Sequence, residues 1–274
     1  MLKQRLWTAG ILIPVVMLSI LYIPTSILQW LIVGIIILAA IEWFAIIGYA
    51  SRPQMLFGMA SLAAVSSILW LLSTETLILM PMIIWSLILV IVSRYAHRTM
   101  PTYIQTLLMK RFNALIVASI VLALFGHGAV MLHQSSDLGP QQLLFVMVLV
   151  WLADTGGYFA GKRWGKTPLA KAISPNKTWE GVAGAIVLGS IWTVIAYGMG
   201  ISGSLSWSHW LLLSLSALLI SIVGDLFESL FKRSHNVKDS GNLLPGHGGM
   251  LDRIDSLIAA VPVFTAGLFL LGAF

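Results

Sequence analysis

Every Asp, Glu, Lys and Arg that follows Glu180 falls between Asp225 and Asp255, in an otherwise apolar stretch. Asp225, Glu228, Ser229 and Lys232 recur at offsets of three, four and seven, which puts ligand-type oxygens and a terminal ammonium on one stripe of a helix. Farther on, Pro245, Gly246, Gly248 and Gly249 make a turn whose backbone N–H groups can approach an anion closely. That turn runs into the amino end of the last helix, where free donors and the dipole favour phosphate. Asp252 and Asp255, three apart on the first turn of that helix, can face one Mg²⁺ held together with substrate phosphates. His247 is open to three uses: a donor to phosphate, an acid for a leaving group, or a cap of the turn. Asp239 can equally hold the loop through Lys238 or Arg233.

A second polar segment carries the same chemistry. Asp154 precedes the pair Gly156 and Gly157, at a point where a helix loosens or another helix packs closely. Ser174, Asn176, Lys177 and Thr178 then offer donors at the start of the next apolar run, again suited to phosphate. Plainer readings stand beside each of these. The acids can pair with neighbouring Lys and Arg, and the second segment can be positive-inside charge plus an N-cap. Gly157 with Gly161, and Ala185 with Gly189, read as small-residue packing surfaces.

The elements that must position these residues are membrane helices. Of 274 residues, 58% are hydrophobic and 9% charged, far below the charge of an ordinary soluble domain. Nothing alternates with period two as barrel strands do, so the expected fold is all-α, a polytopic bundle of about nine transmembrane helices. Apolar runs place them near Trp7–Ile23, Ser26–Ile47, Met55–Leu72, Thr76–Ser93, Phe112–Leu132, Gln141–Gly161, Gly181–Gly200, His209–Phe231 and Leu251–Leu271. The short turns at Pro24–Ser26 and Ser73–Glu75 leave a re-entrant hairpin open for either early pair. The chain reads as one membrane domain, 1–274, with N-terminal helices to about residue 111 and the chemistry-bearing helices and loops from 112. Cysteine is absent, which excludes disulfides, thiolate metal sites and cysteine nucleophiles.

With the amino terminus inside, all 16 Lys and Arg fall on one side of the alternating spans, the positive-inside pattern. The opposite turns, around Thr25, Thr74, His133–Pro140 and Ser202–Ser208, carry none. A net charge of +6 distributed this way points to lipid head groups and phosphate substrates, and not to nucleic acid.

The run from Ser229 to Asp255 resembles the signature of the phosphatidate cytidylyltransferase (CDP-diacylglycerol synthase) family. It reads S-x-apolar-K-R, four residues, K-D, a small residue, an apolar residue with Pro, then H-G-G-apolar-x-D-R-apolar-D. The segment Ser174–Gly181 and the stretch from Asp154 to Gly157 are also similar to that family. The resemblance implies a CTP-dependent enzyme that converts phosphatidic acid to CDP-diacylglycerol and pyrophosphate in a bacterial-type inner membrane. It further implies Mg²⁺, with a second cation such as K⁺, bound around Asp225 and Asp252, and a homodimer.

On this expectation Asp225 and Asp252 ligate metal, with Asp255 and Asp154 as further ligands. Lys177, Lys232, Arg233, Lys238 and Arg253 contact phosphates, joined by Ser174, Asn176 and Thr178. The turn Gly246, His247, Gly248 and Gly249 cradles CTP, at a site facing the cytoplasm. A CDP-alcohol phosphotransferase, a CTP-dependent lipid-alcohol kinase and a cation-coupled transporter are the rival readings. The transporter is disfavoured because the acids cluster at one face, Glu42 being the one acid of the early spans near it.

Overall fold

The computed structural model describes residues 2–98, 106, 110–241, 243 and 248–274, with residues 2–9, 11 and 12 described by their backbone alone. The elements are α1 (Leu2–Tyr22), α2 (Thr25–Ile46), α3 (Arg52–Trp70), α4 (Thr74–Tyr95), α5 (Arg111–Gln134), α6 (Gly139–Trp164), β1 (Pro168–Ala170), β2 (Ser174–Thr178), α7 (Trp179–Gly198), α8 (Trp207–Ser234), α9 (Leu251–Ile254) and α10 (Leu257–Leu270). Among the described residues, 8 helices are long and apolar enough to cross a membrane, α9 and α10 counting as one, and α1 adds the shorter apolar run Ile13–Tyr22. The chain is therefore a multi-pass, all-α membrane protein, as its composition required. The early pairs α1/α2 and α3/α4 are full helices joined by short turns.

Local sequence sets the helix starts. Ser51 and Gln54 form a reciprocal capping box at α3, with Pro in its first turn. Ser73, Thr178 and Ser206 accept the N–H groups of Thr76, Gly181 and His209 at the starts of α4, α7 and α8. Each cap satisfies a donor that lipid could not.

Two ends of the bundle are tied by different chemistry. At one end, buried His133 links Thr25 Oγ1 (2.7 Å) and the Ile20 carbonyl (2.8 Å), and Gln142 donates to the Ile201 carbonyl (3.1 Å). Among the described residues no Lys or Arg stands there. The other end gathers the polar loops: the Ala172 N–H donates to the Ala96 carbonyl, and all the ion pairs among the described residues lie there.

α6 and α7 pack backbone to backbone. A Cβ on Gly156 would stand 2.4 Å from the Gly184 carbonyl oxygen, and one on Gly184 would stand 2.3 Å from Ala160 Cβ and 2.5 Å from the Gly156 oxygen. The expected small-residue contact is thus present, with Gly156 and Gly184 at its tightest point; Gly157 and Gly161 are less crowded, and Gly189 receives Leu218. The antiparallel hairpin β1–β2 bridges these two helices. It was not legible as strand, being short, interrupted by Pro168 and Pro175, and without alternation.

The last helix also differs from expectation. Its ladder lapses at Asp255 and Ser256, so Asp255 sits at a break and its Oδ1 accepts the Ser256 N–H at 2.6 Å. Gly224 of α8 accommodates this break, because a Cβ there would lie 2.6 Å from the Asp255 carbonyl oxygen.

Gly184→Ala should therefore lower the detergent melting temperature, overpacking of this kind costing about 1–3 kcal/mol, or about 2–4 °C per kcal/mol for a chain of this size. Gly34→Ala, where nothing lies within 4 Å, should leave the melting temperature unchanged or raise it slightly. Equal melting curves for the two variants would refute the close α6–α7 contact.

Candidate active site

The stripe on α8 holds as a helix face. Ser229 Oγ donates to Asp225 Oδ1 at 3.4 Å, and one turn on, Lys232 Nζ lies 2.5 Å from Glu228 Oε2 and 2.9 Å from Asp252 Oδ1. Lys232 therefore ties α8 to α9. Glu228 is 1% exposed, and among the described residues neither of its oxygens has a hydrogen bond of good geometry despite the Lys232 contact.

The β-hairpin brings Lys177 onto the same face, where its ammonium pairs with Asp225 Oδ2. Thr178 ends β2 and caps α7, so the residue just before the cap is aimed back across α6 toward α8. Glu180 holds this geometry: its carboxylate accepts the Thr167 N–H at 3.2 Å and the Thr167 hydroxyl at 3.1 Å. Glu180 thus closes the hairpin, unlike the other five acids of the last four spans.

A cavity of about 320 Å³ opens between α6, β2, α7 and α8, lined by Asp154, Asn176, Lys177, Thr178 and Asp225 together with Tyr158, Leu169, Val182 and Ile222. Its lining is mixed, with charged and polar side chains beside apolar ones. Asp154 lies within electrostatic reach of Asp225, Lys177 and Arg253, and Asp255 within reach of Asp225, Glu228, Lys177 and Asp154. A larger apolar cavity of about 540 Å³ between α2, α3 and α5 lies toward the opposite end of the bundle, away from these charges.

Of the residues singled out by sequence, Asp154, Lys177, Asp225, Lys232, Asp252 and Asp255 are brought together, and Ser174, Asn176 and Thr178 stand on the adjoining strand. Arg233, Lys238 and Arg253 are exposed at the same end. Gly246 and His247 lie outside the described residues. Gly248 adopts φ +82°, as a Gly turn requires.

The amino end of the last helix, expected to offer free donors to phosphate, has them engaged by carboxylates. Asp252 Oδ2 accepts the N–H groups of Gly249 (3.0 Å) and Ser240 (3.2 Å). Glu42 accepts those of Met250 (3.0 Å) and Leu251 (2.8 Å) and the Ser240 hydroxyl (3.1 Å). Glu42 is the participant that sequence reasoning passed over. Its signal was present, since an acid within an apolar span is costly enough to need a purpose.

Five carboxyl groups, those of Asp154, Asp225, Glu228, Asp252 and Asp255, gather beside Lys177, Lys232 and Arg253. All five offer hard oxygen donors, and the buried Glu228 carboxylate lacks hydrogen bonds, a donor set that suits Mg²⁺. Among the described residues no three His, Asp or Glu side chains are already gathered as a metal cage; Lys177 and Lys232 engage the carboxylates instead.

Residues 3–271 match the profile of the Cytidylyltransferase family. The chain is 37% identical over 278 residues to a phosphatidate cytidylyltransferase of Pseudomonas aeruginosa, covering 99% of this chain and 98% of that one. It is 33% identical over 287 residues to one of Haemophilus influenzae, covering 97% and 98%. With one of Bacillus subtilis it shares 38% over 146 residues, 53% of this chain and 54% of that one. The match runs through every element that supports the charged end of the bundle, and the chain belongs to the cytidylyltransferase family, whose members are nucleotidyltransferases.

Proposed function

We propose that this protein is a phosphatidate cytidylyltransferase, joining CTP to phosphatidic acid to give CDP-diacylglycerol and pyrophosphate at the cytoplasmic face of a bacterial-type inner membrane. The observation that carries this reading is the mixed lining of the cavity. Lys177, Asn176 and Thr178 suit a phosphate, while Leu169, Val182 and Ile222 beside them suit acyl chains. A phosphorylated lipid has that pairing of chemistries, and the nearly full-length relatives named above are enzymes of that substrate.

In the proposed reaction a phosphatidate oxygen attacks the α-phosphorus of CTP, the bond from that phosphorus to the bridging oxygen breaks, and pyrophosphate leaves with the electron pair. Phosphate monoesters have a second pKa near ~6, so the nucleophile is largely ionised without a protein base. What the chain must supply is alignment of two anions and neutralisation of their charge. Lys177 serves the phosphate in the cavity, with Ser174, Asn176 and Thr178 on the same strand. Lys232, and the exposed Arg233, Lys238 and Arg253, serve the triphosphate arriving from water.

Asp225 and Asp252, with Asp255, Asp154 and the buried Glu228 beside them, are the residues to hold Mg²⁺, and a second cation such as K⁺. The metal would supply neutralisation of charge on the transferred and departing phosphates. A phosphate that takes the Lys177 ammonium frees the Asp225 carboxylate for that duty. The CTP cradle is assigned to the Gly246–Gly249 turn, with its Gly249 N–H already committed to Asp252. The active assembly is proposed to be a homodimer.

Purified protein given α-labelled CTP, Mg²⁺ and phosphatidate should place labelled CMP in lipid and release pyrophosphate. Label that remains in free CDP, with the γ-phosphate in lipid, would indicate a lipid kinase instead. Asp225→Asn and Asp252→Asn should each lower the rate by about 10²–10³-fold, the scale of losing one preorganised electrostatic group, while Asp137→Asn in the opposite turn stays at wild-type rate. Lys232 keeps Glu228 as partner when Asp252 is neutralised, so Asp252→Asn should melt within a few degrees of wild type. An active Asp252→Asn protein, or one inactive only through unfolding, would overturn its assignment.

Because the chain contains 0 Cys, single cysteines report sidedness cleanly. Replacements at Ser136 and Ser204 should be labelled from outside intact cells, and those at Lys171 and Asp239 only after permeabilisation. The reverse pattern would move the site to the other face.

A further inference from the structure

Glu42 lies near the end of α2, more than a hundred residues from the polar loops, and is 8% exposed. A carboxylate inside an apolar span costs about 2.5–3.5 kcal/mol on insertion scales. Here it accepts three hydrogen bonds, from Ser240 Oγ at 3.1 Å, Met250 N–H at 3.0 Å and Leu251 N–H at 2.8 Å. We propose that Glu42 is a positioning residue that holds Asp252 opposite Lys232 by fixing the backbone on both sides of the Gly-rich turn. The proposal rests on the assignment of Asp252 to the reaction made above.

Three features carry it. Ser240 is gripped from two sides, its hydroxyl by Glu42 and its N–H by Asp252 Oδ2 at 3.2 Å. The two acids therefore fix one segment of chain jointly. Glycine is needed for this approach: a Cβ on Gly249 would lie 2.4 Å from Glu42 Oε2 and 2.1 Å from Ser240 Oγ, and one on Gly241 would lie 2.7 Å from Glu42 Oε1. Finally, the next residue, Trp43, packs edge-on against Phe227 and Phe231 of α8, with ring centroids 6.3 and 5.5 Å away. Two consecutive residues of α2 thus hold α9 through Glu42 and α8 through Trp43, and these are the two helices that Lys232 and Asp252 must join.

The test uses the full-length protein in detergent or nanodiscs, with Glu42→Ala, Glu42→Gln and wild type compared in two ways. Hydrogen exchange, followed without any substrate, should show faster exchange at Met250 and Leu251 in Glu42→Ala, an intermediate rate in Glu42→Gln, which keeps one carbonyl acceptor, and no change in peptides of α6 and α7. CTP-to-lipid transfer should show kcat reduced about 100-fold in Glu42→Ala, the scale of a 1 Å misplacement, with a smaller change in KM and partial recovery in Glu42→Gln. If Glu42→Ala does not fold, Ser240→Ala, which removes one of the three donors, should shift both readouts in the same direction by less. Wild-type kcat, or unaltered exchange at Met250 and Leu251, in a folded Glu42→Ala protein would overturn the proposal, as would, where that variant does not fold, a Ser240→Ala protein unchanged in both readouts. Should wild-type protein transfer no CMP to lipid, the proposed reaction fails, while the exchange comparison still decides whether Glu42 holds this loop.

Discussion

A carboxylate placed below the surface of a bilayer must be answered by a partner, and most of the architecture at one end of this bundle follows from that demand. Lys177 answers Asp225, Lys232 answers Glu228 and Asp252, and three hydrogen-bond donors answer Glu42. Each except Lys232 with Glu228 joins segments far apart in the chain, so satisfying the charges also dictates which helices sit side by side. Lys232 alone answers two carboxylates, so the network does not reduce to one base for each acid.

The supports of the site divide the work by chemistry. α8 presents a continuous stripe because its polar residues repeat with the helical period. Lys177 needs a different carrier, for a helix continuing from α6 would have pointed away from α8. The β-hairpin reverses the chain within a few residues, Thr178 caps the following helix, and Glu180 locks the base of the turn through Thr167. Glycines 156 and 184 then let the two flanking helices meet without intervening side chains.

Much of this was readable in the sequence because it rests on period and composition. The apolar runs gave the spans to within a few residues, and the offsets of Asp225, Glu228, Ser229 and Lys232 specified a shared face. The small residues of α6 and α7 were readable as packing surfaces, but not that they face each other, and the tightest contact falls one position away, at Gly156 and Gly184. Less was legible where tertiary contacts decide. Nothing local in Pro168–Thr178 announces a strand pair, and the donors of Met250 and Leu251 look free until Glu42 arrives from a distant helix. The break at Asp255 likewise depends on the closeness of Gly224, which no single segment encodes.

The glycine contact between α6 and α7 has a mechanical consequence. Where side chains interdigitate, helices can slide by exchanging rotamers, but two backbones in direct contact have nothing to exchange. These helices and their hairpin are thus joined without intervening side chains, and Lys177 stands at the end of that unit. If the proposed reaction holds, exchanging the protein's own carboxylate for a phosphate at that ammonium would widen the cavity by shifting α8 rather than by parting α6 from α7.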